Sequence, residues 1–146
     1  MKRACVIAVV VVILAGVCLA QSARQVEVVA EVSLTNQTGK TGGTLFTPNQ
    51  TGMFRVSFYL ECTEGSQILN TELDPVVLWT DDNGDEFEAL PPVQDNSIGP
   101  PVSAMFIIKA IAGTPVSWNV QPSRLPKDKS RYEVYLALER IGSTVH

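Results

Sequence analysis

Apolar and polar residues alternate along four segments of this chain. These segments are Val26–Leu34, Met53–Glu61, Thr114–Gln121 and Ser130–Ile141. A period of two is typical of a strand with one buried and one exposed face. No window carries a 3.6-residue apolar stripe over a helical length, which excludes a helical domain. The predicted buried faces are Val26, Val28, Ala30, Val32 and Leu34; Phe54, Val56, Phe58 and Leu60; Val116, Trp118 and Val120; and Tyr132, Val134, Leu136 and Leu138.

Between these segments the chain predicts a hairpin and a further strand. Val76–Asp82 and Asp85–Leu90 flank Asn83-Gly84, the pair that favours a type I′ turn because both turn residues need positive φ. Val102–Ile111 is nearly continuously apolar, which indicates a strand buried on both faces or in a subunit contact.

Thr38–Gly43 and the stretch from Pro122 through Lys129 are predicted loops, rich in residues that favour turns. Strands at such turn-separated intervals predict an all-β fold. We expect an antiparallel β-sandwich, a jelly roll of roughly eight to ten strands.

The N-terminus has the pattern of a secretory signal peptide. Lys2 and Arg3 precede an apolar run from Ala4 to Ala20, with small residues at Cys18 and Ala20 before a cut at Gln21. An uncleaved membrane anchor is the alternative, although the run is near the lower length limit for a bilayer span. A lipoprotein site at Cys18 is disfavoured because the preceding residue is Val17.

Cleavage defines the expected organisation and location of the chain. We expect a signal peptide at 1–20, an N-terminal strand and loop at 21–43, and the jelly-roll sandwich at 44–146, with 26–34 as its first strand. The product would be secreted, periplasmic or on the cell surface, with no membrane segment after cleavage.

Charge and cysteine content narrow the function classes. Removal of Lys2 and Arg3 lowers the Lys+Arg count from 11 to 9 against 15 acidic residues, a net charge of −6. An acidic domain without a basic cluster is a poor match for nucleic acid. Cys62 is the one cysteine left after cleavage, so an intramolecular disulfide is excluded, and we expect a buried apolar residue rather than an intermolecular bridge.

Three segments together resemble the C1q/TNF-like jelly roll. They are Leu45–Pro48 with Thr51–Leu60, Phe106–Ala110 leading to Ala112–Trp118, and the closing strand Tyr132–Ile141. The resemblance covers most of Leu45 to Ile141 and implies a homotrimer that packs along one sheet face and presents loops to a ligand. The chain departs from the family in two ways. It has no collagen-like Gly-X-Y stalk, and its loops do not match the family's basic or calcium-binding loops.

Catalytic chemistry has little support in the sequence. The single histidine, His146, is the last residue, where a triad or a zinc site would lack a structured pocket. A hydrolase that uses two carboxylates stays a minor hypothesis, because a domain this small rarely forms the required cleft. We therefore expect a protein that is not an enzyme.

Four acids crowd the predicted hairpin turn. In a two-residue hairpin Asp82 faces Asp85, and Asp81 faces Glu86. Such like charges are destabilising, and calcium would relieve them. The spacing is not that of an EF-hand, and a solvated acidic turn without a cofactor is the favoured alternative.

Aromatic residues and sequons provide the remaining candidate sites. Tyr59 and Tyr135 lie opposite the apolar faces of their strands and, with Trp79, are candidates for a ligand or subunit contact. Asn36-Gln37-Thr38 and Asn49-Gln50-Thr51 are glycosylation sequons if the source is eukaryotic.

The sequence leaves two principal functions open. The first is an exported, homotrimeric, C1q/TNF-like binding or assembly module whose partner is an extracellular protein or glycan. The alternative is a monomeric carbohydrate-binding β-sandwich.

Overall fold

The computed structural model describes residues 26–64, 72–94, 100–122 and 131–142. Within these ranges the chain forms nine strands: β1 (Glu27–Gln37), β2 (Thr41–Phe46), β3 (Gly52–Glu64), β4 (Glu72–Asp81), β5 (Gly84–Ala89), β6 (Val93–Gln94), β7 (Val102–Ala110), β8 (Val116–Pro122) and β9 (Arg131–Ile141). No described helix is long and apolar enough to cross a membrane. The predicted signal peptide at 1–20, most of the predicted Pro122–Lys129 loop and His146 lie outside the described residues.

The strands form two antiparallel sheets. Sheet I has the order β1-β9-β3-β7, and sheet II has the order β2-β8-β4-β5, with the short β6 paired to β4. The first four strands enter the two sheets alternately along the chain, and β5 then pairs with β4 in sheet II. This strand order is that of a jelly roll, so the predicted all-β sandwich is confirmed.

The core lies between the sheets and follows the predicted alternation closely. Phe54, Val56 and Leu60 on β3 are fully buried, as are Leu136 and Leu138 on β9. Trp118 on β8 is 5% exposed. Each fully buried large apolar side chain contributes roughly 1.5–3 kcal/mol, so these central strands form the stable centre of the molecule.

The first strand departs from its predicted alternation. The pairing of β1 with β9 shifts register between Val28 and Ala30, a β-bulge or similar irregularity. Val28 is therefore exposed, as is Val26, whereas Val29 and Ala30 pack against the core. One extra residue in a strand reverses the facing of the residues before it, and the expectation for Val26 and Val28 was wrong for that reason.

Strand β7 is not buried on both faces. It lies at the edge of sheet I, where its pairing partner is β3. Ile108 and Ala110 face the core, whereas Met105 and Ile107 are 68% and 59% exposed. The apolar run therefore reflects one core face and one open apolar face.

Strand β2 begins inside the predicted Thr38–Gly43 loop. Gly42 and Gly43 pair with Asn119 and Trp118 on β8. A Cβ at Gly42 would meet the carbonyl oxygen of Trp118 and lie 2.7 Å from the Cα of Asn119. Glycine is required here for the close approach of two backbones, although its low strand propensity favoured a loop.

Candidate functional site

Two tyrosines lie side by side on the outer face of sheet I. The register of the two central strands places Tyr59 on β3 opposite Tyr135 on β9. Both alternate with buried core residues, so their side chains leave the core on the opposite face. Tyr135 is 38% exposed and Tyr59 is half-buried.

Small and flexible side chains surround this pair. Ser103 on β7 lies opposite Tyr59, and the next outward-facing pair on these strands is Ser57 and Met105. A shallow depression of about 250 Å³ is lined by these four residues and Tyr135, together with Phe58 and Ala104. We call Ser57, Tyr59, Ser103, Met105 and Tyr135 the tyrosine platform.

Carboxylates border one end of the tyrosine platform. Glu61 lies opposite Glu133, one outward-facing pair beyond the tyrosines and roughly 6.6 Å away along the strands. The Tyr59 hydroxyl donates a hydrogen bond to Glu61. This bond, then burial, then the charges of Glu61 and Glu133 raise the pKa of Tyr59 to about 12. Like an ordinary tyrosine, the phenol is protonated at neutral pH and acts as the donor. The remaining carboxylate lone pairs of Glu61 can accept hydrogen bonds from a ligand.

An ion pair borders the other end. Arg55 donates a hydrogen bond to Glu139 across β3 and β9. That hydrogen bond is the main cause of a lowered pKa of Glu139. Partial desolvation of the Glu139 carboxylate opposes the shift, and the charge of Arg55 adds to it. The platform thus lies between a pair of carboxylates at one end and an ion pair at the other.

The two tryptophans lie away from the platform. The Trp79 ring is 6.3 Å from the ring of Phe106, centroid to centroid, and packs against the core from sheet II. Trp118 lies within the core. The predicted contact residues Tyr59 and Tyr135 therefore come together, whereas Trp79 is separate from them.

The acidic hairpin has a different register from the one predicted. Asp82 and Asn83 form the turn, and Gly84 pairs with Asp81. Asn36 is the only described non-glycine residue with a positive φ. Asn83 therefore lacks the conformation that a type I′ turn needs. Gly84 instead takes the positive φ, at 123°.

This register separates the four acids and gives three of them other partners. Asp81 accepts a hydrogen bond of 2.6 Å from the Asn83 backbone N–H. Asp85 lies opposite Thr80 and accepts its hydroxyl hydrogen bond at 2.9 Å. Asp82 forms an ion pair with Lys109.

The predicted calcium site loses its geometric basis. Glu86 lies opposite Trp79 rather than Asp81, and Asp82 no longer faces Asp85. In the described part of the chain no three His, Cys, Asp or Glu side chains are grouped so that they could hold a metal.

Both sequons lie on exposed backbone. Asn36 is exposed near the end of β1 with a positive φ of 55°, and Asn49 is exposed between β2 and β3. The Thr51 hydroxyl of the second sequon accepts a hydrogen bond of 3.1 Å from the Ala112 N–H. Glycosylation of either asparagine stays a prediction.

Sequence reasoning identified the two tyrosines but not their neighbours. Ser57, Ser103 and Met105 join the platform through the β3–β7 register, which pairs segments about 50 residues apart in the chain. Alternation within a strand shows which face a residue occupies. It does not show which residue of another strand lies beside it.

No family model and no curated protein matches the sequence. Among solved structures, this chain is similar to a chain in the structure of the infectious bursal disease virus Gt strain. The sequence identity is 15% and the TM-score is 0.46, and the match covers 83% of this chain and 33% of the other. It thus spans about one third of that protein.

The chain is also similar to two other solved structures. One is the CBM22-1 xylan-binding domain of Paenibacillus barcinonensis Xyn10C, at 16% identity and a TM-score of 0.43 over 82% of this chain and 83% of the other. The other is a pentameric capsid protein from metagenomic phage sequences, at 14% identity and a TM-score of 0.36 over 76% of this chain and 61% of the other. These are likenesses of general form, and they assign no ligand to this chain.

Proposed function

We propose that this chain is an exported, non-catalytic module that binds a neutral carbohydrate on the tyrosine platform. The observation that carries the proposal is the direct pairing of Tyr59 with Tyr135 on an open sheet face. The support for export is the signal-peptide pattern at 1–20. An exported module would be secreted, periplasmic or at the cell surface.

The chemistry of the platform suits a sugar. A tyrosine combines an apolar ring, against which the C–H face of a sugar ring can pack, with a polar hydroxyl. Ser57 and Ser103 add hydroxyls on the same face, and Glu61 and Glu133 add acceptors for sugar hydroxyls. A few polar groups around an apolar surface are typical of ligand sites.

The shape and charge of the platform limit the ligand class. The depression is shallow and lies on an open sheet face, which favours a stretch of polysaccharide over an enclosed small molecule. The carboxylates of Glu61 and Glu133 lie beside it and repel acidic sugars. A neutral glycan chain therefore fits this surface best.

Migration through native gels that contain neutral polysaccharides tests the proposal. Retardation by at least one neutral polysaccharide, together with competition by its soluble fragments, would support it. Equal migration in every gel of a broad panel would contradict it. Tryptophan fluorescence is a poor probe, because Trp79 and Trp118 both lie away from the platform.

Assembly through the same sheet is the second candidate function. Met105 of the platform and the neighbouring Ile107 expose an apolar strip on the edge strand β7. Exposed apolar surface of this kind marks contact sites. Together with the C1q/TNF-like resemblance, this strip supports a homotrimer. Light scattering of residues 21–146 distinguishes the candidates, since a stable trimer would favour assembly and a folded monomer would exclude it.

A hydrolase has less support from the site. Two catalytic carboxyls must flank the bond that is cleaved. Glu61 and Glu133 lie next to each other on one face, with Cβ atoms roughly 4.5–5.5 Å apart, as expected for directly opposed residues. A sugar on this face would have both carboxylates on the same side, which suits binding rather than hydrolysis.

A further inference from the structure

Arg140 occupies a core-facing position at the end of β9. Tyr132, Val134, Leu136 and Leu138 face the space between the sheets, and Arg140 continues the same alternation. Its backbone pairs with Phe54 on β3 and with Glu27 on β1. A permanently charged side chain at the edge of an apolar core needs a specific reason to be there.

The guanidinium of Arg140 is held in place, yet few of its donors have a hydrogen-bond partner among the described residues. Its central carbon lies 5.5 Å from the ring centroid of the fully buried Phe54, a cation–π contact. One Nη atom donates to Asn49 Oδ1 at a long 3.5 Å. The Nε atom is buried and has no hydrogen-bond partner among the described residues. A guanidinium has five N–H donors, and an unpaired buried donor is destabilising.

Arg140 lines a cleft that is large enough for a small ligand. The cleft has a volume of about 390 Å³, within the usual range for ligand sites. Its walls include Phe46, Thr47 and Asn49 from β2 and the connection to β3, and Glu27 and Val29 from β1. Phe46 supplies an apolar ring, and Thr47 and Asn49 supply groups that can hydrogen-bond hydroxyls.

We propose that this cleft binds a small organic carboxylate of the size of one sugar ring, with a uronic acid as the fitting class. A carboxylate matches the guanidinium fork in two parallel hydrogen bonds, which would include the unpaired Nε–H. Glu27, the cross-strand neighbour of Arg140 on β1, also lines the cleft, and its negative charge disfavours dianions such as phosphate. The site is separate from the tyrosine platform, because Arg140 faces the core whereas the tyrosines face outward.

The test follows the ¹H–¹⁵N signal of the Arg140 Nε–H group, assigned by its loss in Arg140→Lys. D-glucuronate is added to the unmodified chain, with D-glucose, acetate and inorganic phosphate as separate arms. We expect glucuronate to shift the signal in a saturable way, acetate to shift it with lower affinity, and glucose to leave it unchanged. An unchanged signal in glucuronate overturns the proposal, as does binding of phosphate at least as tight as that of glucuronate.

A pair of arginine variants on the same strand separates the site from general charge effects. Arg140→Lys keeps the charge but loses the fork, and we expect at least tenfold weaker glucuronate binding by calorimetry. Arg131→Lys changes an exposed arginine that pairs with Glu64, and binding should stay as in the unmodified chain. Equal affinity in both variants would contradict the proposal. If Arg140→Lys does not fold, calorimetric titration of the unmodified chain with glucuronate and with glucose still decides the matter, because the absence of glucuronate binding overturns the proposal.

Discussion

Tyr59 and Tyr135 lie directly opposite each other on β3 and β9, the two central strands of sheet I. The inner faces of these strands hold Phe58 and Leu136, which pair with each other and are buried. The positions of the tyrosine backbones are therefore fixed by the core beneath them. A binding surface formed in this way is in place before the ligand arrives, which lowers the entropy cost of binding.

We expect Tyr135→Ala to weaken binding of the retarding polysaccharide about fivefold. The variant removes an exposed ring, whose contact contributes roughly 1 kcal/mol. Stability should change little, because Tyr135 is 38% exposed. The measurement is calorimetric titration with a soluble fragment of that polysaccharide.

Tyr132→Phe is the matched control for that variant. Tyr132 is fully buried, and its hydroxyl donates a hydrogen bond of 2.8 Å to the Gly39 carbonyl. Loss of this hydroxyl should reduce the free energy of unfolding by about 1 kcal/mol and leave ligand affinity unchanged. Lower affinity in Tyr132→Phe with normal affinity in Tyr135→Ala would contradict the assignment of the platform.

The hydrogen bond from Tyr59 to Glu61 predicts a pH dependence of stability. The pKa of Tyr59 is raised from 10.0 to about 12 in the folded protein. The folded state thus holds this proton more tightly than the unfolded state does. The resulting stabilisation is complete below pH 10 and is lost as the pH rises from 10 to about 12.

Tyr59→Phe lacks this titration. We expect its free energy of unfolding to fall less steeply than that of the unmodified chain between pH 10 and about 12. Chemical denaturation at several pH values measures both slopes. The raised pKa of Tyr132 affects both proteins equally and cancels in the comparison. Equal slopes would show that the hydrogen bond does not hold the Tyr59 proton.

Two neighbouring glycines of β2 should differ sharply in their tolerance of alanine. At Gly42 a Cβ would lie 2.7 Å from the Cα of Asn119 and meet the Trp118 carbonyl oxygen, so Gly42→Ala should lower the free energy of unfolding by about 2 kcal/mol or more. At Gly43 a Cβ would have no described neighbour within 4 Å, and Gly43→Ala should stay within about 0.5 kcal/mol. Urea denaturation of both variants checks the difference. Equal stability would mean that β2 does not approach β8 as described.

Alternation predicted the core well because burial repeats every second residue in β3, β8 and β9. Where the backbone departs from regular pairing, that signal fails. The bulge after Val28 reversed the facing of the start of β1, and the close approach at Gly42 placed a strand where glycines favour a loop. The predicted register of the hairpin at Gly84 was wrong for a similar reason. One turn residue rather than two has a positive φ, and this changes which residues pair.

The candidate site was predictable in part. The outward facing of Tyr59 and Tyr135 followed from the alternation within their strands. The same alternation places Arg140 on the core-facing side of β9, where a charged residue is unusual and indicates a candidate site. The contact of Arg140 with Asn49 joins segments 91 residues apart. Such contacts depend on strand order and register, which one sequence does not specify.

Mapping of amide chemical shifts during titration with a fragment of the retarding polysaccharide tests the central claim most directly. We predict that the largest shifts occur at Ser57, Tyr59, Ser103 and Tyr135, on the outer face of sheet I. The β4–β5 hairpin around Asn83 should show little change. Shifts that cluster at this hairpin, with the tyrosine platform unaffected, would contradict the account.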